Sequence, residues 1–239
     1  MKTLFISDLH LCDARPEITN LFLRFIQDIA TQAQALYILG DLFEAWLGDD
    51  MVLPEYRSAI DAIHSLSTKG IPVYVMYGNR DFLMRESFEQ MTGATLIHEP
   101  YLIELAGQTT LLLHGDILCT DDVAYQQFRA MVRNPQWQDT LLAKTPEERL
   151  SLAREYRAMS QTEMAKKDEA IMDVNQQAVM ETLRQNRVQH LIHGHTHRPG
   201  IHHFDLDGTP AQRIVLGDWY RHGNYLECDD KQCRLVDFS

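Results

Sequence analysis

No stretch of this 239-residue chain approaches the roughly 20 consecutive apolar residues that a membrane-crossing helix needs, so a spanning segment is not expected. Thiols are scarce. Cys12, Cys119, Cys228 and Cys233 form neither a CxxC pair nor a closely spaced Cys/His array, which predicts reduced thiols and no disulfide framework. Positive charge is short as well: 22 Lys and Arg stand against 34 Asp and Glu, a formal charge of -12, which opposes sequence-independent attraction to nucleic acid. Internal repeats and low-complexity linkers are missing, and the length suits one sizeable core with a modest insert, not two full domains. The first apolar residues run straight into Asp8 and His10, so the N-terminus reads as chemistry and not as a cleavable signal, with the cytoplasm as the expected compartment.

What is present is a series of short β-rich runs, at residues 3–7, 36–39, 73–77, 110–114, 190–193 and 214–216, each ending in a polar or glycine-bearing turn. Between the first two, Ile18, Leu21, Phe22, Phe25, Ile26 and Ile29 share one helical face, and Pro16 suits that helix's first turn. A second helix is expected over about residues 55–68, so the first third alternates strand and helix and predicts an α/β core. From about residue 121 to 187 the pattern is helical only. Pro135 and Pro146 divide that stretch, and Thr145-Pro146-Glu147-Glu148 supplies a helix start with a cap, proline at N1 and acids in the first turn. Strands return at residues 190–193, 201–204, 214–216, 225–228 and 234–236.

Five strand ends carry hard or borderline metal ligands: Asp8-Leu9-His10, Gly40-Asp41, Gly78-Asn79-Arg80-Asp81, His114-Gly115-Asp116 and His193-Gly194-His195-Thr196-His197. Strand ends at one sheet edge converge. If the backbone stays extended, the i, i+2 spacing of Asp8 and His10, and of His195 and His197, projects each pair to one side. Carboxylate, imidazole and amide oxygen without thiolate suit manganese, iron or zinc in a reactive site better than structural zinc. The seven candidates Asp8, His10, Asp41, Asn79, His114, His195 and His197 exceed the needs of one ion. Two ions about 3.5 to 4 Å apart would share Asp41 as the bridge, an arrangement that binds phosphodiesters and diphosphates and activates water. Isolated histidines such as His64, His98, His190, His193, His202, His203 and His222 read as structural or surface groups.

These five blocks, in this order, resemble the calcineurin-like metallophosphoesterase superfamily. The resemblance implies a four-layer α-β-β-α sandwich, one ion on Asp8, His10, Asp41 and His197, and the other on Asp41, Asn79, His114 and His195. Where the superfamily usually reads Gly-Asn-His, this chain has Arg80 in place of the histidine. An alkoxide leaving group needs a proton, whereas a phosphate leaving group needs positive charge, so Arg80 points to pyrophosphate cleavage. Residues 36–46, 78–82, 114–122, 171–175 and 193–198 are more specific, and resemble the UDP-2,3-diacylglucosamine diphosphatase family of the lipid A pathway. That resemblance implies hydrolysis of UDP-2,3-diacylglucosamine at the α-phosphorus with two divalent ions, usually manganese. It makes Asp41, Asn79, Arg80, His114 and His195 catalytic, and puts substrate contacts on Asn79, Arg80, Asp122, Ser160, Lys167 and His195, with Tyr125 and Arg157 as further candidates. Met164 departs from the asparagine common in that family. A metallophosphoesterase acting on a soluble nucleotide diphosphate or cyclic nucleotide is the alternative.

A single domain over residues 1–239 is expected, with the helical insert at residues 121–187 capping the site for a lipid. Trp137, Leu141, Leu142, Leu150, Leu152, Ala153 and Met172 are candidates for acyl channels, although helix packing explains such leucines equally well. Arg129, Arg133, Arg149, Arg154 and Arg157 are candidates to face anionic headgroups of the inner membrane, approached peripherally from the cytoplasm. No obligate protein partner and no nucleic-acid ligand are expected.

Overall fold

The computed structural model describes residues 2–164, 171 and 173–239. The alternation in the first third becomes β1 (Thr3–Ile6), α1 (Pro16–Arg24), β2 (Ala35–Leu39), α2 (Arg57–Thr68) and β3 (Val73–Met76), then α3 (Glu86–Thr92) and β4 (Thr95–Ile97). Pro16 sits in the first turn of α1, and the apolar face continues through a π turn at Phe25–Ile29, where Phe25 and Ile26 stay buried. A hairpin of β5 (Tyr101–Leu105) and β6 (Gln108–Leu112) follows. Next come α4 (Val123–Val132), α5 (Pro135–Leu142), α6 (Pro146–Met164) and α7 (Gln176–Asn186), and then β7 (His190–His193), β8 (Gly200–Leu206), β9 (Thr209–Val215), β10 (Gly223–Cys228) and β11 (Cys233–Phe238).

Two sheets result, one in the order β11-β10-β1-β2-β3-β4 and one in the order β5-β6-β7-β9-β8. In the first, β1 to β4 are parallel; in the second, β6, β7 and β9 are. The two-residue period of a strand sorts the core. Phe5, Leu39 and Met76 face inward and meet Leu112, Ile192 and Ile214 of the other sheet. Their chain neighbours Leu4, Ile6, Leu36, Ile38, Val73 and Val75 face outward into a cluster with Ile18 and Phe22 of α1 and Ile60 and Ile63 of α2. On the opposite side, Leu111 and Leu191 pack under Val179 and Leu183 of α7. Four layers, α-β-β-α, follow from that sorting, as expected. Because the central strands of each sheet run parallel, the C-terminal ends of β1, β2, β3, β6 and β7 collect at one rim.

The helical reading of residues 121–187 holds for the described part, which contains no strand. Pro135 occupies the first turn of α5 and Pro146 begins α6. Before α6, Thr145 N–H donates to Glu148 Oε2 at 2.9 Å and Glu148 N–H donates to Thr145 Oγ1 at 3.3 Å, a reciprocal cap that satisfies two otherwise unpaired donors. Trp137, Leu141, Leu142 and Leu152 pack against the first core cluster, so for these four the packing reading applies.

Three features depart from expectation. Strand β4 spans three residues and helix α3 seven, too few to show a period, and β5, Tyr101–Leu105, exposes the apolar Leu102 beside Glu104, which blurs its alternation. Cys228 and Cys233 are bonded to each other, not reduced, because the β10–β11 register sets them directly opposite across a tight turn. The thiols of Cys12 and Cys119 remain free. Finally, Arg149 is 2% exposed, donating to Leu47 O at 2.7 Å and pairing with Asp50; it belongs to the fold and does not face a headgroup.

Leu112 is fully buried between the sheets. Leu112→Ala is expected to lower stability by about 2–5 kcal/mol, measured by urea unfolding followed by circular dichroism; a loss under about 1 kcal/mol would mean the two sheets do not share a packed core.

Candidate metal centre

All seven proposed ligands sit just beyond strand ends at this rim: Asp8 and His10 after β1, Asp41 after β2, Asn79 after β3, His114 after β6, His195 and His197 after β7. The route by which they converge differs from the extended backbone assumed from the spacing. Asp8, His10, Asp41, His195 and His197 all have positive φ, between 49° and 69°. A left-handed residue costs an L-amino acid roughly 1 to 2 kcal/mol, so the surrounding contacts must hold it. They do so by cross-loop bonds: Asp8 N–H donates to Gly40 O at 3.1 Å, His10 N–H to Asp41 O at 2.9 Å and Gly194 N–H to His114 O at 2.8 Å. Asp81, fully buried, accepts N–H groups from Gly78 at 2.7 Å and Leu42 at 2.8 Å, locking the β2 and β3 loops together. Gly78 is required for that approach, since a methyl there would fall 2.0 Å from Asp41 Oδ1.

Two groups of ligand atoms form. Asp8, His10 and His197 make one and Asp8, Asp41 and His114 another, the atoms of each within 4.8 Å of one another. Asp8 is common to both groups, and Asp41 Oδ2 lies 3.7 Å from His10 Nε2 of the first group and 3.8 Å from His114 Nε2 of its own. Asn79 Oδ1 is 3.1 Å from His114 Nε2 and 3.1 Å from His195 Nδ1. His114 Nδ1 donates to Leu39 O at 2.9 Å, which turns Nε2 toward Asn79 Oδ1 and Asp41. His193, by contrast, is fully buried with Nδ1 donating to Gly194 O and Arg213 donating to its Nε2, so it is a structural residue.

Burial at this rim works against every charge. It pushes the Asp41 carboxyl up to about 7, with Asp81 and Asp8 adding to the effect against His114. Burial opposes protonation of His114 too, yet the carboxylates of Asp41, Asp116, Asp8 and Glu99 raise it to about 9. Burial lowers His195 to about 4 and His10 well below its usual value, so both are neutral donors at pH 7. Asp8 is held below the usual carboxylate range despite burial, because His197, His114 and His10 surround it. A divalent cation fits this donor set. Oδ1 of Asp8 and both ring nitrogens of His10 are buried without a hydrogen-bond partner among the described residues, and Nε2 of His114, Oδ1 of Asn79 and Nδ1 of His195 turn toward one another. Without a cation, the proton retained by His114 carries the charge that such a set demands.

Outer carboxylates that the sequence reading missed stand behind the histidines: Asp218 Oδ2 is 3.5 Å from His197 Nδ1 and Glu44 Oε2 is 4.0 Å from His10 Nδ1. A signal for the former existed, since Gly217-Asp218 follows β9 as Gly40-Asp41 follows β2. Arg80 N–H donates to Asp41 Oδ1 at 2.8 Å, and its Nε is buried without a partner among the described residues. Asp122 caps α4, accepting the Tyr125 N–H at 3.1 Å. Ser160 is half-buried on α6, whereas Lys167, Met172 and the side chain of Met164 lie outside the described residues. Arg129 and Arg133, expected to face headgroups, are instead only 16% and 19% exposed at the side chain and engaged with Glu99, Asp116 and Gly78 O. Arg157 reaches Glu44 at 3.2 Å, and Arg154 is exposed.

An α-β-β-α sandwich that gathers carboxylates, imidazoles and an amide at one rim, without thiolate, defines a metal-dependent phosphoesterase. Residues 1–199 match the family described as calcineurin-like phosphoesterase. The chain belongs to that family. Among curated proteins it is similar to the UDP-2,3-diacylglucosamine hydrolase of Chromohalobacter salexigens, 50% identical over 242 residues, covering 100% of this chain and 98% of that protein. It is also similar to the proteins of the same name from Aeromonas hydrophila, 48% identical over 98% of both chains, and Escherichia fergusonii, 47% identical over 100% of this chain and 99% of the other.

The raised pKa of His114 has a measurable consequence. Its proton stabilises the metal-free fold fully below the usual value of 6.5, and that contribution is lost as pH rises through about 9. By pH 7.5 the histidines that burial holds neutral, His10, His193 and His195, no longer titrate in either state, while His197, raised against burial by Asp8 and Asp218, loses its proton's contribution in the same direction as His114. Chelator-treated protein is therefore expected to show a falling unfolding temperature from pH 7.5 to 9 by differential scanning fluorimetry, and added Mn2+ should remove the slope. A flat profile in chelator would show that His114 is not proton-charged in the metal-free protein.

Proposed function

We propose that this chain hydrolyses the pyrophosphate bond of UDP-2,3-diacylglucosamine, giving UMP and 2,3-diacylglucosamine 1-phosphate (lipid X) in lipid A synthesis. Close full-length similarity to proteins named for hydrolysis of that substrate supports the substrate class. The observation that carries the bond specificity is Arg80, whose backbone N–H is bonded to Asp41 Oδ1 and whose guanidinium is near enough to act on the charge of Asp41 and His10, where an alkoxide-releasing hydrolase would need an acid. A guanidinium cannot donate its proton at neutral pH, but it offsets charge on a departing phosphate.

In this reading Asp8, His10, Asp41 and His197 would hold one divalent ion, and Asp41, Asn79, His114 and His195 a second, a donor set that suits manganese, iron or zinc, with manganese the ion implied by the family resemblance. The two ions supply positive charge that polarises the phosphoryl group and acidifies water. Water oxygen bonds to the α-phosphorus; the bond between the α-phosphorus and the bridging oxygen breaks; the β-phosphate leaves with that oxygen and the electron pair. Arg80 and Asn79 orient the diphosphate, while His195 stands at the phosphoryl group and His114, fixed by Leu39 O, keeps its ligand nitrogen aimed at the centre. Asp122, Ser160 and Lys167 contact the sugar and nucleotide portions.

The helices of residues 121–187 serve as a cap for the acyl chains. Exposed Val123, Met131, Met159 and Ile171 support an apolar route into it. No helix among the described residues is long and apolar enough to cross a membrane. The same reading has the protein act from the cytoplasm, peripherally at the inner membrane, where its substrate resides.

Manganese-supported hydrolysis in detergent with oxygen-18 water tests the reaction: label is expected in UMP, and label in the lipid phosphate, or equal turnover of UDP-glucose, would overturn the proposal. Arg80→Ala is expected to retain both ions by metal analysis while kcat falls about 100- to 1,000-fold; loss of either ion would assign Arg80 to the metal centre and not to the phosphate.

A further inference from the structure

Helix α4 presents Tyr125, Arg129 and Arg133 at intervals of four residues, one stripe of its surface, and that stripe meets the rim of the sheets. Asp116, fully buried, accepts the Tyr125 hydroxyl at 2.7 Å and Arg129 Nε at 2.9 Å on the same oxygen. Arg129 also pairs with Glu99, whose Oε2 accepts the backbone N–H of His114 at 3.1 Å. The Tyr125 ring stacks on His195, centroids 5.8 Å apart and planes 30° from parallel. Arg133 donates to Gly78 O at 2.8 Å, one residue before Asn79. Asn79, His114 and His195 are thus each reached from α4. Asp8, His10 and His197 find their side-chain supports elsewhere, in Ser7, Glu44, Asp218 and Tyr220, with a backbone bond from His195 N–H to Asp8 Oδ2 at 2.9 Å joining the two sets.

We propose that Asp116 and Arg129 are positioning residues for one half of the metal centre, holding His114 through Glu99 and His195 through Tyr125, and thereby setting affinity for the ion on the Asn79–His114–His195 side alone. The inference rests on the two-ion reading given above. Its physical basis is the pairing of the buried Asp116 and the largely buried Glu99 by one guanidinium: without Arg129, the guanidinium left to them is Arg133, 3.9 Å from Asp116. Each buried charge left unpaired is costly, so both side chains must move or take up a proton, and the His114 N–H and Tyr125 hydroxyl lose their fixed acceptors. Partners behind metal ligands contribute about 10- to 100-fold to metal affinity, and these partners serve one side only.

The test counts ions. Full-length protein, Arg129→Met, Arg129→Lys and Tyr125→Phe are equilibrated at graded free Mn2+, and bound metal is quantified by mass spectrometry alongside thermal unfolding in chelator. The unaltered protein is expected to bind two ions. Arg129→Met should keep one at unchanged affinity and bind the other about 10- to 100-fold more weakly, with Arg129→Lys recovering most of the loss. Tyr125→Phe, which keeps the ring and loses only the hydroxyl, should weaken the same ion by less and serves if Arg129→Met does not fold. Two ions bound with unaltered affinity in these variants, or two ions weakened equally, overturns the proposal. An unaltered protein that binds fewer than two ions removes the two-ion reading, and this inference with it.

Discussion

The molecule is organised around the compensation of buried negative charge. Asp8, Asp81 and Asp116 are fully buried and Asp41 nearly so, all at the rim where strand ends of both sheets meet. Burying an ionised carboxylate is costly unless hydrogen bonds or opposite charge offset it, and each of the four meets that demand differently. Asp81 uses backbone N–H groups, Asp116 uses Arg129 and Tyr125, and Asp8 uses Ser7, the His195 N–H and neighbouring imidazoles. Asp41 has the Arg80 N–H and the neighbouring His114, but burial, with Asp81 and Asp8 adding to it, outweighs them and its carboxyl resists ionisation. The deficit is local and positive charge is what satisfies it.

That constraint accounts for the roles of the connecting segments. The insert between β6 and β7 is not one object. Its first helix is bonded to the ligand loops through buried ion pairs, whereas α5 and α6 are held by apolar contacts of Trp137, Leu141, Leu142 and Leu152 and by Arg149 on Leu47 O and Asp50.

Much of this was legible in the letters. Short β-rich runs that end in polar or glycine-bearing turns marked the central strands, and the ligand blocks at those ends marked the candidate site. What stayed hidden has physical causes. Strand β4 is too short for a period to emerge, and β5 breaks its own with the exposed Leu102. The Cys228–Cys233 bond depends on hairpin register, which spacing alone does not specify. Arg129, Arg133 and Arg149 looked like surface charge because helix composition does not reveal which stripe faces a buried carboxylate across a long loop. The i, i+2 pairing of Asp8 and His10 was noticed for an incorrect reason, since the backbone between them is not extended.

The left-handed backbone at Asp8, His10, Asp41, His195 and His197 bears on which substitutions such a site can accept over evolutionary time. Aspartate, asparagine and histidine are the residues other than glycine that enter this conformation most readily. They are also good oxygen and nitrogen ligands, so one alphabet satisfies two independent filters, torsional and chemical. Glutamate, the obvious alternative carboxylate, passes only the second. A lineage can therefore exchange aspartate, asparagine and histidine among these positions, and drift in metal preference, while the loops keep their shape.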